Sequence, residues 1–317
     1  MKRVLITGGA GFVGSHLVDA FLGKKYCVWV IDNLITGSLR NIAEARKNKH
    51  FHFVQDDLIT MDLEGKLEAR RFDLVYHLAS PASPKQYFTY PLETLLVNSY
   101  GTHRLMEYFK NTKSGHFIYA STSEVYGDPL VHPQVEQYWG NVNPVGERAC
   151  YDEGKRCGET FCTIYSKKYD QHITIVRIFN TYGPRMEKDD GRVISNFITQ
   201  ALKSGEITIY GDGHQTRSFC FVSDLVEGLY RAGNIDENGV IMNLGNPTEK
   251  KIIDIALLIK KLTHSHSAIV YKEKRTDDPQ KRKPDITRAQ RLLFWSPHVD
   301  LETGLTLTIT YFKSLIS

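Results

Sequence analysis

The first fourteen residues constrain this chain most. The apolar run Val4-Leu5-Ile6-Thr7 leads straight into Gly8-Gly9-Ala10-Gly11-Phe12-Val13-Gly14, a G-x-x-G-x-x-G turn that opens a helical stretch. In a strand–turn–helix of this kind, small residues let the backbone approach a pyrophosphate. The helix N-terminus behind the turn favours the pyrophosphate charge. Asp32 ends the second apolar run, where a carboxylate can bond both ribose hydroxyls and repel a 2′-phosphate. The pattern predicts a dinucleotide site that takes NAD in preference to NADP. Asp57, after the third run, is expected to contact the adenine.

Strand-like runs continue at residues 27–32, 52–55, 74–78, 116–121 and 173–179, with helical stretches at 12–22, 92–110 and 152–168. Strands that alternate with helices predict a parallel, doubly wound α/β sheet of Rossmann type with right-handed crossovers. The runs are nearly continuous in apolar character, as strands covered on both faces should be. After Gly183-Pro184 the texture changes to glycine-bearing loops with helices near 193–202, 225–232 and 252–262. The expected division is a dinucleotide-binding domain over 1–180, completed by parts of 219–245, and a smaller α/β substrate domain over 181–317.

With 317 residues there is ample length for a core. A net charge of +4 argues against a dedicated nucleic-acid binder and suits an anionic small substrate. The start of the chain reads as a strand, not a signal peptide, and no apolar run approaches membrane-spanning length. Five cysteines without CxxC pairing predict reduced thiols in the cytoplasm and no metal site.

Tyr151 and Lys155 stand four apart, which puts both on one face of a helix. An ammonium beside a phenol favours the phenolate, so Lys155 is expected to lower the Tyr151 pKa and make it a base. The stretch Ser121-Thr122-Ser123-Glu124-Val125-Tyr126-Gly127-Asp128-Pro129 ends another strand, and strand C-termini of such sheets face the ligand crevice.

At these residues the chain resembles the extended short-chain dehydrogenase/reductases that act on nucleotide sugars. Within them it is most similar to the UDP-glucuronic acid decarboxylases, also called UDP-xylose synthases. The likeness rests on the 121–129 stretch and on His77-Leu78-Ala79-Ser80-Pro81-Ala82-Ser83-Pro84. It also rests on Cys150-Tyr151-Asp152-Glu153-Gly154-Lys155-Arg156 and Asp278-Pro279-Gln280-Lys281-Arg282-Lys283-Pro284-Asp285-Ile286. It implies an NAD-dependent decarboxylase with Tyr151, Lys155, Thr122, Ser123, Glu124 and Arg282 as catalytic residues. The implied cofactor contacts are Gly8, Gly11, Phe12, Val13, Gly14, Asp32, Asn33, Thr36, Gly37, Asp57, Leu58, Leu78 and Ser80, with Tyr151 and Lys155. A UDP-sugar would be held by Asn180, Arg192, Tyr210, Gln215, Arg217 and Arg282. Tyr210 reads equally as core, and Lys281 and Lys283 as an exposed charge run.

One position departs from the resemblance. Leu96 stands where the decarboxylases carry Lys two residues before the Asn matching Asn98. A 4,6-dehydratase or 4-epimerase acting on another nucleotide sugar is the alternative. The resemblance further implies a homodimer built on helices 92–110 and 152–168, while the modest charge and the lack of a membrane-length apolar run predict no nucleic-acid or membrane partner.

Overall fold

The structure, a computed structural model, describes residues 1–273 and 281–316. Residues 278–280 of the arginine-bearing motif lie outside them. The first six sheet strands are β1 (Arg3–Thr7), β2 (Cys27–Asp32), β3 (Phe51–Gln55), β4 (Leu74–His77), β5 (His116–Thr122) and β6 (Ile173–Ile178). The seventh, β7 (Val240–Leu244), returns from the second half of the chain to pair with β6. All neighbours are parallel, in the order β7-β6-β5-β4-β1-β2-β3.

Alternation along each strand splits the core into two layers. From β1, Val4 and Ile6 enter one layer, with Phe21, Tyr76 and Val176. Leu5 enters the other, with Trp29, Phe117 and Ile175. All three β1 residues are fully buried. The apolar runs are continuous because both sheet faces are covered. Strand order reverses between β1 and β4, so their C-terminal ends diverge and leave a crevice, the usual ligand position in open α/β sheets.

The N-terminal crossover helix is α1 (Phe12–Gly23). The helix expected over 92–110 is instead two, α2 (Pro91–Leu96) and α3 (Thr102–Asn111), joined by a π-helical turn at Val97–Gly101. Side chains loosen the ladder there: Asn98 Nδ2 donates to the Thr94 carbonyl at 2.8 Å, and Thr102 Oγ1 to the Asn98 carbonyl at 2.7 Å. The same Asn98 amide reaches Ser80 Oγ at 2.8 Å, on the crevice side. Helix α4 (Ala149–Tyr169) begins three residues before its expected start and carries Tyr151 and Lys155.

Small sheets cap the crevice. Thr216–Ser218 pairs antiparallel with Glu249–Lys251 and parallel with Lys281–Arg282, which puts Arg282 in register with Arg217. Ile207–Tyr210 pairs with Ile269–Lys272. Helix Val193–Leu202 packs on the Ile207–Tyr210 strand. No helix among the described residues is long and apolar enough to cross a membrane.

Candidate active site

One cleft runs along the C-terminal ends of the strands. Its walls include every residue expected at the site except Gly37. Gly37 lies behind Asp32, where an added Cβ would come within 2.8 Å of Asp32 Oδ1.

At one end the glycine turn closes tightly. Gly8 has φ +74, and a Cβ on it would lie 2.7 Å from the Ala79 amide nitrogen. A Cβ on Gly14 would lie 2.1 Å from the Gly8 carbonyl oxygen. Gly11 is the N-cap of α1, without a side-chain cap and with no acid in the first turn. The first-turn N–H groups therefore keep their partial positive charge for an anion. Asp32 is held from two sides, Oδ2 accepting from Ala10 N at 2.9 Å and Oδ1 from Leu34 N at 2.8 Å. Burial raises its pKa, partly offset by the two amides. Asp57 Oδ2 accepts from Asn33 Nδ2 at 3.0 Å, which joins the two loops at this end. The turn, bare helix end and anchored carboxylate fit a dinucleotide.

At the other end, Tyr151 and Lys155 are both buried. Lys155 Nζ donates to the Ala120 carbonyl on β5 at 2.7 Å and lies 5.9 Å from the Tyr151 ring centroid. Burial pulls the Lys155 pKa down to about 7, opposed by Cys162 and Glu159. The expected lowering of the Tyr151 pKa is absent here. Burial pushes the phenol up, and a hydrogen bond with Thr122 only partly opposes it. The Tyr87 ring stacks on Tyr151 with centroids 5.3 Å apart and an 11° tilt, which helps explain the dryness.

Glu124 forms ion pairs with Arg148 and with Arg282. Burial would raise its pKa, but the two guanidinium groups outweigh that and hold it well below the usual range. Arg282, itself buried, also donates to Ser123 Oγ at 3.3 Å and to the Gly127 carbonyl at 2.8 Å. Asp152, on the far side of Arg148 at 4.0 Å, has its pKa raised by burial and by Glu124.

Asn180, Tyr210, Gln215 and Arg217 wall the cap side of the cleft. Gln215 Nε2 donates to the Tyr210 carbonyl at 2.6 Å. Arg192 pairs with Asp190 and lies over the Phe12 ring at 5.5 Å, which brings the cap to the head of α1. Leu96 is not part of the walls. It is 42% exposed on the outer face with Leu92, Leu95 and Tyr100.

Sequence reasoning missed Arg148 and Tyr87. A cation three residues before Tyr151 was a signal for the first. Nothing local pointed to the second.

Residues 4–245 match the model of the NAD dependent epimerase/dehydratase family. The chain is 49% identical over 313 residues to UDP-glucuronic acid decarboxylase 1 of Xenopus tropicalis, covering 98% of this chain and 72% of that protein. It is 48% identical over 314 residues to UDP-glucuronic acid decarboxylase 2 of Arabidopsis thaliana, covering 99% and 69%. Among solved structures it is similar to the UDP-glucuronic acid 4-epimerase of Bacillus cereus in complex with UDP-glucuronic acid and NAD, with TM-score 0.90, 32% identity and 99% of both chains covered. The chain therefore belongs to the NAD dependent epimerase/dehydratase family.

Proposed function

We propose that this protein converts UDP-glucuronate to UDP-xylose by oxidation at C4, loss of CO₂ from C5 and re-reduction at C4. The reading is carried by identity of 48–49% to UDP-glucuronic acid decarboxylases along nearly the whole chain. The dinucleotide would be held by the Gly8–Gly14 turn, Asp32, Asn33, Thr36, Asp57, Leu58, Leu78, Ser80 and Lys155, with Gly37 supporting Asp32. The chemistry asked of bound NAD is reversible acceptance of hydride from C4 of the sugar.

Tyr151 takes the C4 hydroxyl proton and later returns it. Thr122 hydrogen-bonds the C4 oxygen as charge develops. Oxidation at C4 leaves the carboxylate β to a ketone, so as CO₂ departs the electrons of the breaking C–C bond flow to the C4 oxygen. The enolate then takes a solvent-derived proton at C5, delivered with the help of Arg282, which restores the ketone that hydride reduces at C4. Ser123 and Glu124 position the carboxylate end, and Arg282 and Arg148 supply positive charge beside it. Asn180, Arg192, Tyr210, Gln215 and Arg217 grip the UDP. A Tyr151 phenol with a raised pKa needs positive charge near it to act as a base. Lys155 supplies that charge while it remains protonated.

The outer faces of α2, the π turn and α4 expose Leu92, Leu95, Leu96, Tyr100 and Ile164. A second copy of the chain is the proposed cover, which makes the protein a homodimer. Five unbridged cysteines support a reducing compartment, proposed as the cytoplasm.

The test is incubation with UDP-glucuronate and no added NAD, followed by mass spectrometry of the nucleotide sugar. Formation of a UDP-pentose with release of CO₂ is expected. An isobaric epimer as the sole product would replace this reading with a 4-epimerase.

A further inference from the structure

Arg282 is separated from Ser123 by 159 positions in the chain, yet meets it in the dry end of the cleft. Something must hold the arginine-bearing segment in place, and its short pairing with Thr216–Ser218 covers only two residues. The other side is held by Gln134, fully buried in the loop that leaves the Glu124 turn. Gln134 N donates to the Lys283 carbonyl at 2.9 Å, and Lys283 N donates back to Gln134 Oε1 at 2.9 Å. Asp285 N then donates to the Gln134 carbonyl at 2.9 Å. Gln134 Nε2 is oriented by the Val131 carbonyl at 2.8 Å.

Asn243, at the end of β7 and fully buried, closes the clasp. Its Nδ2 donates to the Gln134 carbonyl at 3.0 Å and to the Asp285 carbonyl at 3.1 Å. Its Oδ1 accepts from Tyr126 OH at 2.8 Å, and Tyr126 ends the turn that carries Ser123 and Glu124. Gln134 thus fastens the arginine-bearing segment, and Asn243 ties both Gln134 and the Ser123–Tyr126 turn to a sheet strand.

We propose that Gln134 is a positioning residue for Arg282, acting through this backbone clasp. The assignment rests on the decarboxylase reading above. A buried side-chain amide that completes the hydrogen bonding of two backbones fixes their separation, because each unmade bond would strand a buried polar group. Placement errors of about 1 Å at a reacting group can lower rates about 100-fold.

The test is a double-mutant cycle of Gln134→Met with Arg282→Met, read as kcat and KM for UDP-pentose formation from UDP-glucuronate. The methionine keeps the shape of the side chain and removes the acceptor for the Lys283 amide. Gln134→Met alone should lower kcat, by up to about 100-fold, and leave UDP affinity unchanged. In the Arg282→Met background it should add no further loss. Losses that multiply, or a Gln134→Met enzyme with wild-type kcat, would overturn the assignment. If the methionine variant does not fold, Asn243→Ser is held to the same criterion. A wild-type protein that yields no UDP-pentose defeats the decarboxylase reading instead, so the two failures are distinct.

Discussion

Glu159 and the buried Arg177 form a two-point ion pair between α4 and β6: Arg177 Nε donates to Oε1 at 2.9 Å and Nη2 to Oε2 at 2.7 Å. Glu159 Oε1 also accepts from Ser121 Oγ at 2.6 Å. Lys155 lies one turn before Glu159, so the pair holds its helix against β6, and the Ser121 bond holds it against β5, the strand that carries Thr122. Glu159→Gln leaves a buried guanidinium without its counter-charge, and a loss of about 3–5 kcal/mol is expected in denaturant unfolding. Glu159→Met with Arg177→Met should recover most of it.

Tyr151→Phe removes the only phenolic oxygen at that position and keeps the ring stacked on Tyr87. UDP-pentose formation should fall by about 10²–10⁴, with little change in UDP binding. Mass spectrometry of the nucleotide sugar measures it, and a wild-type rate would remove Tyr151 from the reaction.

Asp32→Ala removes a carboxylate that two amides hold toward the cleft. NAD affinity should drop by at least about tenfold, or about 1.4 kcal/mol. Discrimination against NADP should shrink. Isothermal titration with both dinucleotides reads the two effects.

Asp152 tests a pH dependence. Burial and Glu124 raise its pKa above the unfolded value, so the folded chain holds a proton there that the unfolded chain has lost. Its contribution to stability is present at low pH and declines as pH rises through that window. Asp152→Asn should therefore raise the melting temperature more at pH 8 than at pH 5. An equal shift at both would exclude the charge as the cause.

Leu92 and Leu95 project from α2 and are 68% and 38% exposed. Replacing both with Glu should convert the proposed dimer to a monomer in sedimentation velocity, because two like charges would face their own copies across a symmetric contact.

The sheet and cofactor turn were legible because their signals are local. Gly8, Gly11 and Gly14 sit within seven residues, and each strand is a short apolar run. The Tyr151–Lys155 pair was legible as a spacing, but its electrostatics were not. Spacing shows Lys155 beside Tyr151, whereas the burial that raises the phenol pKa comes from tertiary packing, including Tyr87. The Arg148–Glu124–Arg282 cluster joins segments far apart in sequence, and of its members only Glu124 and Arg282 were named in advance. The π turn was hidden because a hydrophobic period reports a helix but not the side-chain bonds that widen it.

The pairing of Lys281–Arg282 beside Thr216–Ser218 has a consequence for biosynthesis. The crevice draws its groups from residue 8 to residue 282, so a nascent chain can form its dinucleotide turn long before the closing arginine has left the ribosome. A product that stops before that arginine also lacks Ile286, Ala289, Leu293, Trp295, Leu305, Ile309 and Phe312, which share a core layer with Val4 and Ile6, so it forfeits packing beneath the turn as well as the guanidinium.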